Sequence, residues 1–182
     1  FLFYYAGHGI MNDPADGSKA DFYLVLHKVT QMQGNDEGLK TNGLSASRLR
    51  DLLLEVPAQK QLILFDACNS GGALTTFTRG AAEEAAIFQL ARSTGFTVLA
   101  STNQEQLAAE LKDLKHGIFT YAIINGLKGE ADLKKDGKIT VKEIELYLNE
   151  IIPVLSEKYK GVQQYPQSFS RGMDFPLTIS LN

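Results

Sequence analysis

The sequence predicts an α/β domain in which a mainly parallel sheet is covered by helices on both faces. Two observations predict it. Short apolar runs that end in Gly-rich or polar turns alternate along the chain with segments of helical periodicity, the order of strands and crossover helices. The clearest strand-like run, Gln61-Leu62-Ile63-Leu64-Phe65, is apolar without alternation, as a strand covered on both sides must be. With 182 residues, 44% of them hydrophobic, the chain can bury one core, and it is read as a single domain over 1–182.

Phe1-Leu2-Phe3-Tyr4-Tyr5 is an aromatic run that stops at Ala6-Gly7-His8-Gly9, and it reads as a buried strand ending in a tight turn. Opening inside a strand with no lead-in is expected of a fragment of a longer polypeptide. Asp21 to Leu26 is a second strand. Leu44-Ser45-Ala46 opens an amphipathic helix through Leu49, Leu52 and Leu53, with Ser45 as N-cap. Gln61 to Phe65 is the next strand and ends at Asp66-Ala67-Cys68-Asn69-Ser70-Gly71-Gly72. The small, polar and charged stretch 73–85, which contains Arg79-Gly80, is expected to be an exposed linker before a helix at about Ala86 to Arg92. Phe96 to Ser101 is a strand, Gly117 to Leu127 and Thr140 to Leu155 are helices, and Phe175 to Leu181 is a final strand after a Pro/Ser/Gly-rich loop.

Several function classes drop out on composition. The net charge is −3, from 18 basic and 21 acidic residues mixed along the chain, without the basic stripe that nucleic acid requires. No apolar run approaches the roughly 18 residues of a membrane helix, and the first residues lack the flanks of a signal peptide. The expected location is the cytoplasm. A single Cys cannot form an internal disulfide, and one Cys with His at 8, 27 and 116 gives no zinc site of ordinary spacing. A nucleotide binder suits the alternating elements, but neither G-x-G-x-x-G nor a P-loop follows any strand.

What remains is the pair His8 and Cys68, each presented by a Gly-rich turn after a strand. In an open α/β sheet, sites form beyond the carboxyl ends of strands, so adjacent parallel strands would bring both side chains into one crevice. A thiol with pKa about 8.5 is mostly protonated at neutral pH, and a neighbouring imidazole supplies the base that makes the nucleophilic thiolate. The N–H groups of Gly9 and Cys68 are candidate donors to an oxyanion. His27 and His116 are expected to be structural.

Tyr5-Ala6-Gly7-His8-Gly9 and Asp66-Ala67-Cys68-Asn69-Ser70-Gly71 resemble the His and Cys motifs of the caspase, metacaspase and paracaspase clan of cysteine peptidases. His116-Gly117-Ile118-Phe119-Thr120-Tyr121 is similar to the start of the small-subunit helix, and Gln164-Tyr165-Pro166 with Asp174-Phe175 resembles the approach to the last strand. The resemblance implies a three-layer caspase-like fold whose first two strands are missing from this chain. It divides the sequence into a large-subunit-like part over 1–72 and a small-subunit-like part over 86–182. It also implies peptidase activity by a His8–Cys68 dyad with no cofactor. Its partners would be peptide or protein substrates and further regions of its own polypeptide.

Asp66, two residues before the Cys, departs from true caspases and matches metacaspases and paracaspases, whose Asp lines the primary specificity pocket. A pocket carboxylate left uncompensated until a cation enters would select Arg or Lys. Glu105, across a gap in the local alignment, resembles a second acidic pocket residue of paracaspases. Arg79-Gly80 lies where relatives are cut between their subunits, and its Arg suits an Asp66 pocket, which makes it a candidate self-cleavage site. The rival reading is a caspase-like pseudoenzyme or interaction module of a signalling or defence assembly; such modules typically lose the His or the Cys.

One further motif competes for attention. Asp132, Asp136 and Glu143 fall at the first, fifth and twelfth positions of an EF-hand-like loop with Gly137 at the sixth, which raises calcium. Lys134 puts a cation at the third ligand position, and Thr140 with Glu143 is independently explained as a capping box, so an ion is not expected here.

Overall fold

The computed structural model describes residues 1–12, 20–30, 36–67, 95–101 and 116–179. Its centre is a four-stranded sheet ordered β1 (Leu2–Gly7), β5 (Lys60–Ala67), β6 (Gly95–Ala100), β8 (Gln167–Arg171). The first three strands are parallel and β8 is antiparallel to β6. A small antiparallel sheet joins β2 (Gly9–Met11), β3 (Phe22–Leu24) and β4 (Leu44–Ser45), and a two-stranded ribbon joins β7 (Lys138–Thr140) to β9 (Pro176–Ile179). The described helices are α1 (Asp36–Asn42), α2 (Ala46–Glu55), α3 (Ile118–Asn125), which runs into a wide helical turn over Gly126–Glu130, and α4 (Val141–Lys160).

β5 is apolar from Leu62 to Phe65 because there it feeds two cores. Leu62 and Leu64 point to one face, where they meet Ile118, Phe119 and Ala122 of α3 and Ile144, Leu148 and Ile152 of α4. Ile63 and Phe65 point to the other, with Leu49 and Leu53 of α2, Phe22 and Leu24 of β3, and Phe3 and Tyr5 of β1. Strand alternation sorts consecutive side chains onto opposite faces, so an eight-residue strand buried on both has no room for a polar position. Gln61 is the exception at 1% exposure, and it is put to use. Its Nε2 faces the carbonyls of Leu53, Val56 and Ala58 at 3.3, 3.4 and 3.3 Å and so gathers the frayed end of α2 onto the sheet.

The helix starts follow their sequence signals. Ser45 Oγ accepts from Arg48 N at 3.1 Å at the head of α2. Thr140 and Glu143 form the full capping box of α4. That helix runs to Lys160 instead of ending at Leu155, and it holds Pro153 inside, buried in the face that packs on α3.

The carboxyl-terminal strands differ from expectation. The antiparallel edge of the central sheet is β8, drawn from the stretch that reads as a Pro/Ser/Gly-rich loop, while the described part of the expected final strand, β9, pairs with β7 outside the central sheet. Gln167-Ser168-Phe169-Ser170-Arg171 hides its strand character because an edge strand needs one ladder and little apolar surface; Phe169 alone reaches the core. The second strand is also shorter than expected, and it pairs with β2, which was not anticipated. The linker at 73–85 and the helix at about 86–92 lie outside the described residues.

Gln61→Leu is expected to destabilise the domain by about 1–3 kcal/mol, because the carbonyls at the end of α2 lose their buried donor. Urea unfolding followed by circular dichroism measures it, with an unchanged slope and a lowered midpoint as the expected result.

Candidate active site

Three parallel carboxyl ends converge at one edge of the sheet. β1 and β5 are in register to their last residues, with Gly7 opposite Ala67, so His8 follows directly on one strand and Cys68 directly on the other. Cys68 itself lies outside the described residues. The third strand end is tied to the second: Ser101 N donates to Phe65 O at 2.9 Å and Ser101 Oγ to Ala67 O at 3.2 Å.

His8 is exposed, at the point where the chain leaves the large sheet for the small one. Its carbonyl accepts from Val25 N at 2.9 Å and from the Tyr5 hydroxyl at 2.8 Å. Because Val25 and His8 are bonded to each other, the next pair, Gly9 with Leu24, is of the non-hydrogen-bonded kind. The Gly9 N–H therefore points away from β3 and takes no part in that ladder. Gly9 is buried, with its amide directed out of the small sheet.

Asp66 is half-buried on the α3 side of β5. Its Oδ2 accepts from Thr120 N at 3.2 Å and, in a short hydrogen bond, from Thr120 Oγ1. Thr120 Oγ1 also pairs with the Tyr4 hydroxyl at 2.7 Å, so a chain of donors runs from Tyr4 through Thr120 to the carboxylate. The physical cause lies in α3. Its N-cap is Gly117, which has no side chain to accept from the free N–H groups of the first turn, and Asp66 does so from the neighbouring strand. Closeness requires the glycine: a Cβ at 117 would lie 2.8 Å from Asp66 Oδ2. This corrects one expectation. The Asp66 carboxylate is not uncompensated, because a backbone N–H, a hydroxyl and a helix N-terminus already face it.

Sequence reasoning named His8, Gly9 and Asp66 but missed Tyr4, Tyr5, Ser101 and Thr120, which hold them. The one available signal was Gly117, an N-cap without an acceptor three residues before a Thr. Burial pushes the Tyr5 phenol above its ordinary pKa. His116, before α3, and His27, after β3, are both exposed. Glu105 and Arg79 lie outside the described residues.

The acidic loop has its carboxylates engaged internally. Asp132 accepts from Asp136 N at 3.1 Å and Gly137 N at 2.9 Å, and Asp136 accepts from Lys138 N at 2.9 Å. Glu143, 3% exposed, accepts from Thr140 N at 3.0 Å and Lys134 N at 3.3 Å, and Lys134 Nζ lies 3.8 Å from it. Among the described residues, no group of three or more His, Cys, Asp or Glu side chains is arranged to hold a metal ion. Nor is any helix among them long and apolar enough to cross a membrane.

A parallel α/β sheet whose adjacent strand ends carry His8 and lead into Cys68 has both residues where open α/β folds build their sites. The family model of the caspase domain matches residues 1–177, and the chain belongs to that family of cysteine peptidases. No curated protein and no solved structure matches the chain significantly.

Thr120→Val is expected to cost about 1 kcal/mol, since it removes the hydroxyl that joins Tyr4 to Asp66 and leaves the backbone bond in place. For a domain of this size that is a fall of about 2–4 °C in Tm, read by differential scanning calorimetry.

Proposed function

We propose that the chain is a cysteine endopeptidase that uses a His8–Cys68 dyad and cleaves after Arg or Lys. The observation that carries this reading is the in-register parallel pairing of β1 with β5, which ends with Gly7 beside Ala67, one residue short of each member of the dyad.

In this mechanism His8 takes the Cys68 proton and the thiolate attacks the scissile carbonyl carbon. The oxyanion accepts from the N–H groups of Gly9 and Cys68; the outward direction of the Gly9 amide supports that role. The His8 imidazolium then protonates the leaving amine as the C–N bond breaks. Water, deprotonated by His8, attacks the thioester, the C–S bond breaks, and the thiol is restored. No cofactor takes part. Asp66, with one oxygen held by Thr120, offers its remaining lone pairs and its charge to a substrate guanidinium or ammonium. Glu105 joins that pocket as a second carboxylate, and Arg79-Gly80 is its substrate in self-processing. The enzyme works in the cytoplasm, where a lone reactive thiol stays reduced.

Cys68→Ala should abolish cleavage of an Arg-containing fluorogenic peptide, and His8→Ala should lower kcat/KM by about 10²–10⁴-fold. Full activity of the Cys68 variant would end the dyad reading, and a wild-type chain that cleaves no such peptide would favour the interaction module. Asp66→Asn keeps an acceptor for Thr120 but removes the charge. A peptide library should therefore show the preference for Arg and Lys lost while Tm stays close to wild type; an unchanged preference would refute the pocket assignment. Mass spectrometry of active protein should find a cut after Arg79, and an intact 73–92 segment would count against self-processing.

A further inference from the structure

His8 occupies a single-residue gap between two sheets. Gly7 ends the ladder of β1 with β5, and Gly9 begins the ladder of β2 with β3. The register of β1 with β5 ends before His8, whose peptide must turn from one sheet into the other, and one rung of the small sheet reaches it, from Val25 N to its carbonyl. A second hold would steady it.

Tyr5 is placed to do so. It lies two residues before Gly7 on the same face of β1, with its ring partly buried against the cluster of Ile63 and Phe65. Its hydroxyl reaches forward over Gly7 to the carbonyls of His8 at 2.8 Å and Val25 at 2.9 Å, sharing one proton between them. The path exists only because residue 7 has no side chain: a Cβ there would lie 2.6 Å from the Tyr5 hydroxyl oxygen and 2.8 Å from Cζ. With the bond from Val25 N to His8 O at 2.9 Å, the phenol closes a clamp that joins the end of β1, the His8 peptide and the end of β3.

We infer that Tyr5 is a positioning residue for His8: its hydroxyl fixes the His8 peptide and so the aim of the imidazole at the thiol. The inference rests on the dyad reading above. Loss of the hydroxyl would leave the ring packing and the imidazole intact but free the turn, and small misplacements of a catalytic group reduce rate steeply.

The test uses the lone cysteine as its own reporter. The rate of Cys68 alkylation by iodoacetamide is followed against pH in wild type, His8→Ala, Tyr5→Phe and Gly7→Ala, at a temperature where circular dichroism shows each to be folded. In wild type the thiolate should form well below the ordinary thiol pKa of about 8.5, and His8→Ala should return the profile toward that value. Tyr5→Phe should move it part of the way, with kcat reduced by about 10–100-fold and KM little changed. Gly7→Ala, which displaces the phenol without removing it, should do the same, and it serves if the Phe variant does not fold. A wild-type profile and kcat in a folded Tyr5→Phe or Gly7→Ala protein would overturn the role of Tyr5. A wild-type profile in His8→Ala would instead overturn the dyad itself, so the two failures are distinguishable.

Discussion

The structure depends on the pairing of β1 with β5. β5 feeds both cores, Leu62 and Leu64 filling one and Ile63 and Phe65 the other, and β1 and β6 flank it in parallel. Parallel strands deliver their carboxyl ends to the same side, so a register fixed by core packing also fixes which residues emerge together. A slip of one residue would turn Phe3 and Tyr5 away from Phe65 and separate His8 from the strand end that leads to Cys68. Burial of apolar surface and alignment of the reactive ends are thus enforced by one constraint.

The same logic explains why the held residues are flanked by glycine. Gly7 lets a phenol pass over the backbone to reach the His8 carbonyl, and Gly117 lets the Asp66 carboxylate approach the first turn of α3. In both places a polar side chain on a strand bonds to backbone groups of a turn or a helix end. The hydrogen bonds are individually modest, about 0.5–1.5 kcal/mol each, but they bind a loop or a helix end to the rigid sheet. Positioning by the sheet is more exact than positioning by a loop alone.

Much of this was legible in the sequence. The apolar run at 62–65 identifies a strand buried on both faces, the Ser45 and Thr140 caps locate two helix starts, and the turn residues after two apolar runs mark where β1 and β5 end. The misses have physical causes. β8 carries one core residue, Phe169, and so looks like a loop. β9 reads as a sheet strand from its apolar content, yet content does not say which ladder it joins: it pairs with β7, while Phe175 before it is buried in the core cluster with Leu62 and Leu64. Tyr4, Tyr5 and Thr120 escaped because aromatic and β-branched residues in strands and helices are ordinarily packing; the partners of their polar ends, such as Val25 and Asp66, are set by the fold.

The environment of Asp66 changes how the proposed preference for cationic substrates has to be explained. A bare buried carboxylate would demand a cation simply to relieve its desolvation. This one is already supplied with a backbone N–H and a hydroxyl by Thr120, and it faces the positive end of α3, worth about 0.3–1 kcal/mol. Under the proposed assignment of Asp66 to a specificity pocket, a cation would gain only what Thr120 leaves over: hydrogen bonds to a charged partner, about 1.5–3 kcal/mol. Selectivity drawn from that remainder favours Arg, whose planar fork can engage a carboxylate in two parallel bonds, over Lys, a point charge. Arg above Lys, with neutral residues below both, is the order this geometry supports.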